Sequence, residues 1–479
     1  MHNIKRYDLS QVKFSELSTY RIDGLISQFR IGSVLSKAEF TRSKGFHILE
    51  MLLFFILILL EKAKTVNQGL KYIKSHQHKT AINDFLNNTS YNWRKFMVSV
   101  AVQYIKKHPA DKGKFNSLII DDTSKPKTGR YVEYLSWFYD HAKLGYYMGY
   151  QIVFSAFSNG TTCIPLDFEI KTGRKRCKHA KKGNYSPNSH TAKRYKESRK
   201  TKTKISMDMI KRAIKHRIKF AYVLWDSWFN NSTTFKFVFN YLIPKGIHLV
   251  SMVKLSSEKY FYNNEEYNIK EIFKSIKKWN RLGVSDILFK SVIVELIDKS
   301  TTDRKIIGKV KLCFYKFPNQ KKNKYKVLIS TNLELSAEEV LKIYTQRWGI
   351  EVMIKDLKQY MGFNQAMSSK YAPQIAHLTI ICVFYMMFCS LKEKDPSVTM
   401  FEIIFDIRCE YEEHCFDLIF RYMFKETLVC FVKFAKNNGI DTGDLLEHIH
   451  DIIDKFWESV SFENKIIEVE HKCKKRKIA

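Results

Sequence analysis

The sequence predicts an α/β protein whose strand-rich core lies between helical regions at the two ends of the chain. Two short apolar runs, 118–120 and 220–225, each lead directly into aspartates: Asp121 and Asp122 in the first case, Asp226 in the second. Runs of this length are typical of buried strands in a sheet that is covered by helices. Towards both ends of the chain, apolar residues instead recur at helical spacing.

The charge of the chain predicts an anionic partner. Lys and Arg number 81 against 48 Asp and Glu, so the formal net charge is +33 in 479 residues. An excess of this size favours binding to a polyanion, with nucleic acid first and an anionic membrane surface second. Hydrophobic residues make up 45% of the chain, which excludes a mostly disordered protein.

Neither a membrane span nor a cysteine-based site is expected. The longest apolar run, 51–60, has ten residues; this is about half of what crosses a bilayer, so the run is predicted to be a buried helix. The nine cysteines include no Cys-x-x-Cys pair. We therefore expect no zinc ribbon and no disulfide framework, and we predict a reducing cytosol as the location.

Periodicity predicts four regions along the chain. They are a helical N-terminal domain (1–112, predicted to bind DNA), a core (113–255 and 323–392), a β-rich insertion (256–322), and a helical C-terminal region (393–479) with a basic tail at 472–477. Within the core, strands are predicted over 118–120, 145–157, 161–170, 220–225, 248–253 and 326–330, and helices over 204–216 and about 230–243. In the insertion, strands are predicted over 287–296 and 306–317.

Residues 171–204 stand out by their charge. They contain fourteen Lys or Arg residues and one acid, Glu197. Because so many like charges repel one another, we predict a solvated loop that contacts phosphates, rather than a disordered insert with no role. The candidate DNA-binding residues in it are Lys175, Arg176, Lys181 and Lys182.

A third acid is predicted on a helix. The capping box Ser336-Ala-Glu-Glu339 marks the start of this helix. Tyr344, Arg347, Glu351 and Lys358 follow at offsets that place them within roughly 60° of one another around the helix axis. The alternative is an exposed helix with ordinary ion pairs, which accounts for the charges but not for the tyrosine at the same edge.

Together the acids predict a metal-dependent site. A single acid after a strand is more often a turn or N-cap residue, but three carboxylates held by a sheet and a helix supply the hard oxygen ligands that Mg²⁺ or Mn²⁺ prefers. Two such ions can activate a water or a 3′-hydroxyl in phosphoryl transfer. Arg347 and Lys358 would then hold phosphates of the same DNA strand.

At this point the sequence resembles DDE transposases of bacterial insertion sequences, in the branch with the Tyr-Arg-Glu-Lys signature. Tyr344-x-x-Arg347-x-x-x-Glu351 followed by Lys358 matches that signature. The segments 120–129 (Ile-Asp-Asp-Thr-Ser-Lys-Pro-Lys-Thr-Gly) and 223–229 (Val-Leu-Trp-Asp-Ser-Trp-Phe) resemble the regions of the first and second acids. Glu351 follows Asp226 by 125 residues, which leaves room for the β-rich insertion of this branch.

The resemblance implies a ribonuclease H-like catalytic core with two Mg²⁺ ions, for which Mn²⁺ may substitute. It implies cleavage of double-stranded DNA at the terminal inverted repeats of an element and strand transfer into target DNA. It further implies a homodimer or larger assembly on paired ends, in the bacterial cytoplasm with the nucleoid and without membrane attachment. Tyr344, Arg347 and Lys358 would contact DNA near the cleaved end.

Two questions stay open from the sequence. Asp226 and Glu351 are predicted metal ligands, but Asp121 and Asp122 both precede Thr123, and since side chains alternate along a strand only one can readily face the metals. Asp122 is slightly preferred because it directly precedes the threonine. The alternatives to a transposase are a catalytically inactive DNA-binding relative and a metal-dependent nuclease of the same fold that only hydrolyses.

Overall fold

Helices at both ends of the chain enclose a sheet, as the hydrophobic pattern predicts. The computed structural model describes residues 18–41, 47–63, 65–72, 79–109, 115–140, 144–173, 175–283, 286–298, 305–318 and 325–442, with residues 448, 453 and 455. The predicted basic tail at 472–477 lies outside these residues. The described helices are α1 (Tyr20–Gln28), α2 (Ile31–Lys37), α3 (Ile48–Leu60), α4 (Val66–Tyr72), α5 (Lys79–Asn87), α6 (Trp93–Lys107), α7 (His190–Ser198), α8 (Lys202–Lys215), α9 (Ser232–Phe237), α10 (Ile269–Ser275), α11 (Ala337–Thr345), α12 (Trp348–Gln359), α13 (Tyr371–Lys392) and α14 (Met400–Asn437).

The strands form one large mixed sheet. They are β1 (Ser117–Pro126), β2 (Ser136–Asp140), β3 (Gly145–Ser158), β4 (Cys163–Lys171), β5 (Tyr222–Trp225), β6 (His248–Met252), β7 (Lys259–Tyr262), β8 (Glu265–Asn268), β9 (Asn280–Arg281), β10 (Leu288–Ile297), β11 (Ile306–Lys316) and β12 (Lys326–Ser330). Their order is β2-β3-β1-β5-β6-β12-β11-β10-β7-β8, with β4 paired to β3 and β9 paired to β10. The predicted α/β class is confirmed.

Parallel pairing is confined to the centre of this sheet. β1 runs parallel to β5, and β5 runs parallel to β6. The flanking pairs β1–β3 and β12–β6 are antiparallel. The strands of the segment 256–322 continue the same sheet through β12, β11 and β10, so this β-rich segment extends the sheet edge.

The most apolar helices are buried in the core. The predicted buried helix at 51–60 is α3, and most of its side chains are shielded from solvent. Among the described residues, α13 is the one helix long and apolar enough to cross a membrane by length and composition, and 89% of its most apolar window is buried inside the protein. Because α13 packs against α6 and β4, its apolar surface is covered by the protein itself.

The basic segment 171–204 is more ordered than a solvated loop, so that prediction is wrong for its second half. Residues 190–198 form α7, and Lys202 begins α8. The side chains of Ser189 and Thr201 cap these helices, each accepting a hydrogen bond from a backbone N–H of the first turn. Because lysines and arginines dominate this segment, the few residues on the buried faces of α7 and α8 are hard to recognise in the sequence. Arg174 lies outside the described residues.

A buried ion network ties the N-terminal helices to the sheet. Arg94 of α6 donates to Asp167 at 3.1 Å and to Glu169 at 2.7 Å, both on β4, and Arg212 of α8 donates to Asp167 at 2.7 Å. The side chains of Asp167 and Glu169 are 4% and 1% exposed. Burial opposes ionisation of Asp167, but Arg212 and Arg94 hold the pKa of its carboxyl well below the ordinary value. The buried carboxylates of this network therefore stay ionised only because the arginines balance their charge.

Removing one partner of this network should destabilise the fold strongly. We expect Arg94→Met to lower the free energy of unfolding by about 3–5 kcal/mol, because it leaves two buried carboxylates without their shared cation. Chemical denaturation monitored by circular dichroism measures the change. The matched control is Lys95→Met at the next position, whose side chain is 44% exposed; we expect a change within about 0.5 kcal/mol. Equal effects of the two substitutions would contradict the role of the network.

Candidate active site

Parallel pairing brings the first two acid regions together. Ile119 of β1 lies opposite Leu224 of β5. The pairing ends at these residues, and the same register continued by two residues along each strand would align Asp121 with Asp226. Residues in register on neighbouring strands project from the same face, so Asp121 rather than Asp122 shares a face with Asp226.

The first acids lie inside a strand and not at its end, so the sequence-based placement is wrong on this point. β1 continues to Pro126 through antiparallel pairing with β3, whereas its pairing with β5 ends at Ile119. The continuation was missed because its residues are mostly polar or charged. Asp226 does follow its strand directly, and its side chain caps the 3₁₀ turn Ser227–Phe229, accepting from the Ser227 N–H at 2.6 Å.

The motif Tyr344, Arg347, Glu351 and Lys358 spans two helices, where one was predicted. α11 ends at Thr345 and α12 begins at Trp348. At the junction the Arg347 N–H donates to the Tyr344 carbonyl at 3.0 Å, a tight three-residue turn, and the Arg347 backbone stays right-handed at φ −58° and ψ −29°. The break is therefore slight, and Tyr344 still lies beside Arg347.

A glycine lets α12 approach the sheet. A Cβ placed on Gly349 would lie 2.8 Å from the Cβ of Cys163, the first residue of β4. Contacts this short do not occur between ordinary side chains, so a larger residue would push α12 away from β4. Gly349 lies two residues before Glu351, and the close packing sets the distance of Glu351 from the sheet.

Arg347 joins the acid of the helix to the acid of the sheet. Its Nη1 donates to Asp121 Oδ2 at 3.2 Å, and its Nη2 donates to Glu351 Oε1. Its guanidinium lies 5.8 Å from the centre of the Tyr344 ring. The structure thus assembles Asp121, Glu351, Arg347 and Tyr344, predicted from separate parts of the sequence, into one cluster.

The pKa values of the cluster reflect its burial and its crowded negative charge. Burial raises the pKa of Asp121 to about 6, and the neighbouring carboxylates of Asp122 and Glu351 act in the same direction against the lowering effect of Arg347. Burial also raises the pKa of Tyr344 to about 12, with contributions from the negative charges of Asp226 and Glu351. Tyr344 therefore lies within electrostatic reach of both acids.

Asp122 faces the other side of the sheet. Its carboxylate accepts from Lys202 Nζ at 3.1 and 3.2 Å, and from the Gln151 side chain. The Lys202 ammonium also lies 4.5 Å from the ring of Trp228, which is 54% exposed. The geometry therefore favours Asp121 as the first acid, against the preference for Asp122. Sequence reasoning missed Lys202, because one lysine among fourteen basic residues carries no distinguishing signal.

The remaining predicted DNA contacts lie apart from the acids. Lys358 lies 6.0 Å from the Phe363 ring. The basic residues of the segment 171–204 lie along β2: the Trp137 N–H donates to the Lys175 carbonyl at 3.0 Å, and the Arg176 guanidinium lies 5.2 Å from the Tyr134 ring. The side chains of Lys175, Arg176, Lys181 and Lys182 are exposed.

Comparison with known proteins identifies the class. Residues 38–296, more than half of the chain, match the family model of the DDE superfamily endonuclease. The chain belongs to this family of DDE-type nucleases and transposases. The matched region contains Asp121 and Asp226 and ends before Glu351. A search of curated proteins found no match.

Enzymes of this family use divalent metal ions, and the chemistry of the donor set fits such an ion. Asp121, Asp226 and Glu351 provide hard carboxylate oxygens, as Mg²⁺ and Mn²⁺ require. Burial, with smaller contributions from the carboxylates of Asp122 and Glu351, raises the pKa of Asp121, and a bound cation would stabilise its ionised form. Within the described ranges, no group of three or more His, Cys, Asp or Glu side chains is placed to hold a metal. The Arg347 guanidinium bridges Asp121 and Glu351.

The raised pKa of Asp121 predicts a pH dependence of stability in the absence of divalent metal. The folded protein binds the proton of this carboxyl more tightly than the unfolded chain, so Asp121 contributes stability below about pH 4 and loses it as the pH rises to about 6. Relative to wild type, Asp121→Asn should therefore gain up to about 2–3 kcal/mol of unfolding free energy between pH 4 and pH 7. Urea denaturation across this range tests the prediction, and a difference that does not change with pH would contradict it.

Proposed function

We propose that this protein is a Mg²⁺-dependent DDE transposase with a ribonuclease H-like core, in which Asp121, Asp226 and Glu351 form the catalytic centre. The observation that carries the proposal is the register of β1 and β5, which aligns Asp121 with Asp226, together with the Arg347 bridge from Asp121 to Glu351. Membership of the DDE superfamily endonuclease family supports a cleavage reaction on DNA. The Tyr-Arg-Glu-Lys branch is proposed on the four motif residues.

The proposed roles follow from the positions of the side chains. Asp121 and Asp226 are fixed by rigid strands and Glu351 by a helix packed on the sheet through Gly349. These three carboxylates would hold two divalent ions, which when bound supply an activated water or 3′-hydroxyl and stabilise the leaving oxygen. Arg347 presents a planar fork suited to bidentate contact with a phosphate. Tyr344 packs beside Arg347 and orients it.

The proposed substrate is double-stranded DNA, comprising the terminal inverted repeats of an element and its target. The net charge of +33 supports this partner. We further propose that the enzyme acts as a homodimer or larger assembly on paired ends, in the bacterial cytoplasm associated with the nucleoid. The two alternatives, an inactive DNA-binding relative and a hydrolytic nuclease, differ from the proposal in nicking and in strand transfer. A Mg²⁺-dependent nicking assay and a strand-transfer assay separate all three.

The assignment of the acids predicts opposite outcomes for two adjacent residues. We expect Asp121→Asn, Asp226→Asn and Glu351→Gln each to abolish Mg²⁺-dependent cleavage, because each removes a negative ligand from the centre. Asp122→Asn is the matched control: it lies on the same strand but faces Lys202, so we expect cleavage to be retained. Single-turnover cleavage and a binding titration measure rate and affinity for each variant. Loss of cleavage in Asp122→Asn with full activity in Asp121→Asn would reverse the assignment.

The exposed basic residues along β2 predict a change in the salt dependence of DNA binding. Replacing Lys175, Arg176, Lys181 and Lys182 by Gln should flatten the slope of log Kd against log salt by up to about 3–4, at roughly 0.9 for each phosphate that is no longer neutralised. The matched control replaces three exposed lysines and one exposed arginine that precede β5 and β6. They lie near the N-terminal ends of these strands, whereas Asp226 follows the C-terminal end of β5; the four residues are Lys215, Arg217, Lys219 and Lys245. Equal slopes for the two quadruple variants would show that the β2 residues are not a specific contact.

A further inference from the structure

A basic cavity lies between the N-terminal helices and the core. It has a volume of about 340 Å³ and is lined by residues at the start of α6, along α7 and at the end of α8. Six cations line it against one acid, Glu197; the cations are Arg94, Lys95, Lys193, Arg194, Arg212 and Lys215. When the nearby acids Glu39, Asp167 and Glu169 are included, the cations still outnumber the acids by six to four. The cavity therefore has a net positive charge.

Two buried donors in the cavity wall have no hydrogen-bond partner among the described residues. They are Nη1 of Arg194 and Nε1 of Trp93, and these residues are 4% and 3% exposed. The other Arg194 nitrogens are engaged, since Nη2 donates to the Phe168 carbonyl and Nε lies 3.9 Å from Glu169. A buried donor without a partner costs free energy, so an acceptor bound in the cavity would stabilise both groups.

The acids behind the cavity do not fully offset the charge of Arg194. Burial, and then the like charge of Arg94, lower the pKa of Arg194 against the raising effects of Glu169 and Asp167. Glu169 Oε2 accepts from Arg94 at 2.7 Å. Its Oε1 is unpartnered within the described ranges, but Glu169 is not part of the cavity lining. An anion in the cavity would stabilise the ionised form of Arg194.

Two helices begin at the cavity. Asn92 caps α6 and Ser189 caps α7, and the first residues of these helices, Trp93 and His190, line the wall. The N-terminus of a helix carries about half a positive charge, and its N–H groups favour phosphate. The two helix dipoles therefore add to the charge of the arginines at the same place.

The cavity lies on the face of the sheet opposite the cluster of Asp121, Glu351, Arg347 and Tyr344. Glu169 of β4 lies opposite Val153 of β3, and Val153 lies opposite Asp122 of β1. Residues in register on neighbouring strands project from the same face, so the arginines that contact Glu169 are on the Asp122 side. The cavity is therefore separate from the acid cluster, and a ligand there does not depend on the proposed function.

We propose that this cavity binds a phosphate compound no larger than a nucleoside monophosphate. Phosphate oxygens accept from several donors at once, which matches Arg194, Trp93 and the two helix starts. At about 340 Å³ the cavity is near the lower end of small-molecule sites, so a DNA duplex cannot enter it. The bound phosphate would join α6 of the N-terminal region to α7 and α8 of the core.

Binding is measured on the full chain by calorimetric titration and thermal unfolding, at constant ionic strength. The probes are inorganic phosphate, thymidine 5′-monophosphate and thymidine. We expect both phosphate compounds to bind and to raise Tm with concentration, because a ligand that binds only the folded state stabilises it. Tighter binding of the monophosphate identifies a nucleotide site, and equal affinities identify a site for phosphate alone. Failure of both phosphate compounds to bind, or equal binding of thymidine and its monophosphate, overturns the proposal.

Substitutions test whether the phosphate binds in this cavity. Trp93→Phe keeps a ring but removes the N–H, and should weaken phosphate binding roughly tenfold. Arg194→Lys should weaken it further, because a point charge does not replace the guanidinium fork. Lys193→Gln at the rim should weaken it roughly two- to threefold, whereas the matched control Lys196→Gln, an exposed lysine of α7 outside the lining, should bind as wild type does.

Thermal unfolding without ligand shows which variants are folded. If Arg194→Lys does not fold, Trp93→Phe and Lys193→Gln decide the outcome. Wild-type affinity for phosphate in both of these variants overturns the assignment to the cavity.

Discussion

The site depends on the parallel pairing of two short strands at the centre of the sheet. β1 and β5 are paired at only three described positions, yet this pairing sets the register that aligns Asp121 with Asp226. Both strands are buried at these positions, with Ile119 and Leu224 fully shielded, so a slip by one residue would turn every apolar side chain to the wrong face. The hydrophobic core therefore fixes the alignment of the two acids.

The third acid is positioned by a different kind of contact. Glu351 is brought to the sheet by helix packing, which Gly349 permits at the first residue of β4. Lys125 and Lys127 bind the chain just beyond the other end of α12 through carbonyl groups. The helix is thus held near both ends against strands of the same sheet, and its position relative to Asp121 is fixed by packing at one end and by charged hydrogen bonds at the other.

The sequence alone predicted the α/β class, the three acid regions and the helical motif, because each has a short-range signal: an apolar run, an acid that follows it, or a fixed helical spacing. Three features had no such signal. The extension of β1 beyond Asp121 depends on pairing with β3, a partner more than twenty residues away. The choice between Asp121 and Asp122 depends on the register of β1 with β5, which decides which of the two shares a face of the sheet with Asp226. The break between α11 and α12 occurs at Gln346 and Arg347, which are ordinary helix formers. The weak helix former Gly349 indicated a possible kink in the sequence but not this position.

Arg347 links the charge of the acid cluster to the proposed DNA contact. In the protein without metal, its guanidinium bridges Asp121 and Glu351 and so offsets the repulsion between them. A guanidinium between two carboxylates cannot at the same time present its full fork to a phosphate. On the proposed function, cations bound by the carboxylates would take over this neutralisation and free Arg347 for the scissile strand. Metal binding by the carboxylates and phosphate binding by Arg347 are then coupled through one side chain. We therefore expect bound metal to raise the affinity for the reacting phosphate, and bound phosphate to raise the affinity for metal.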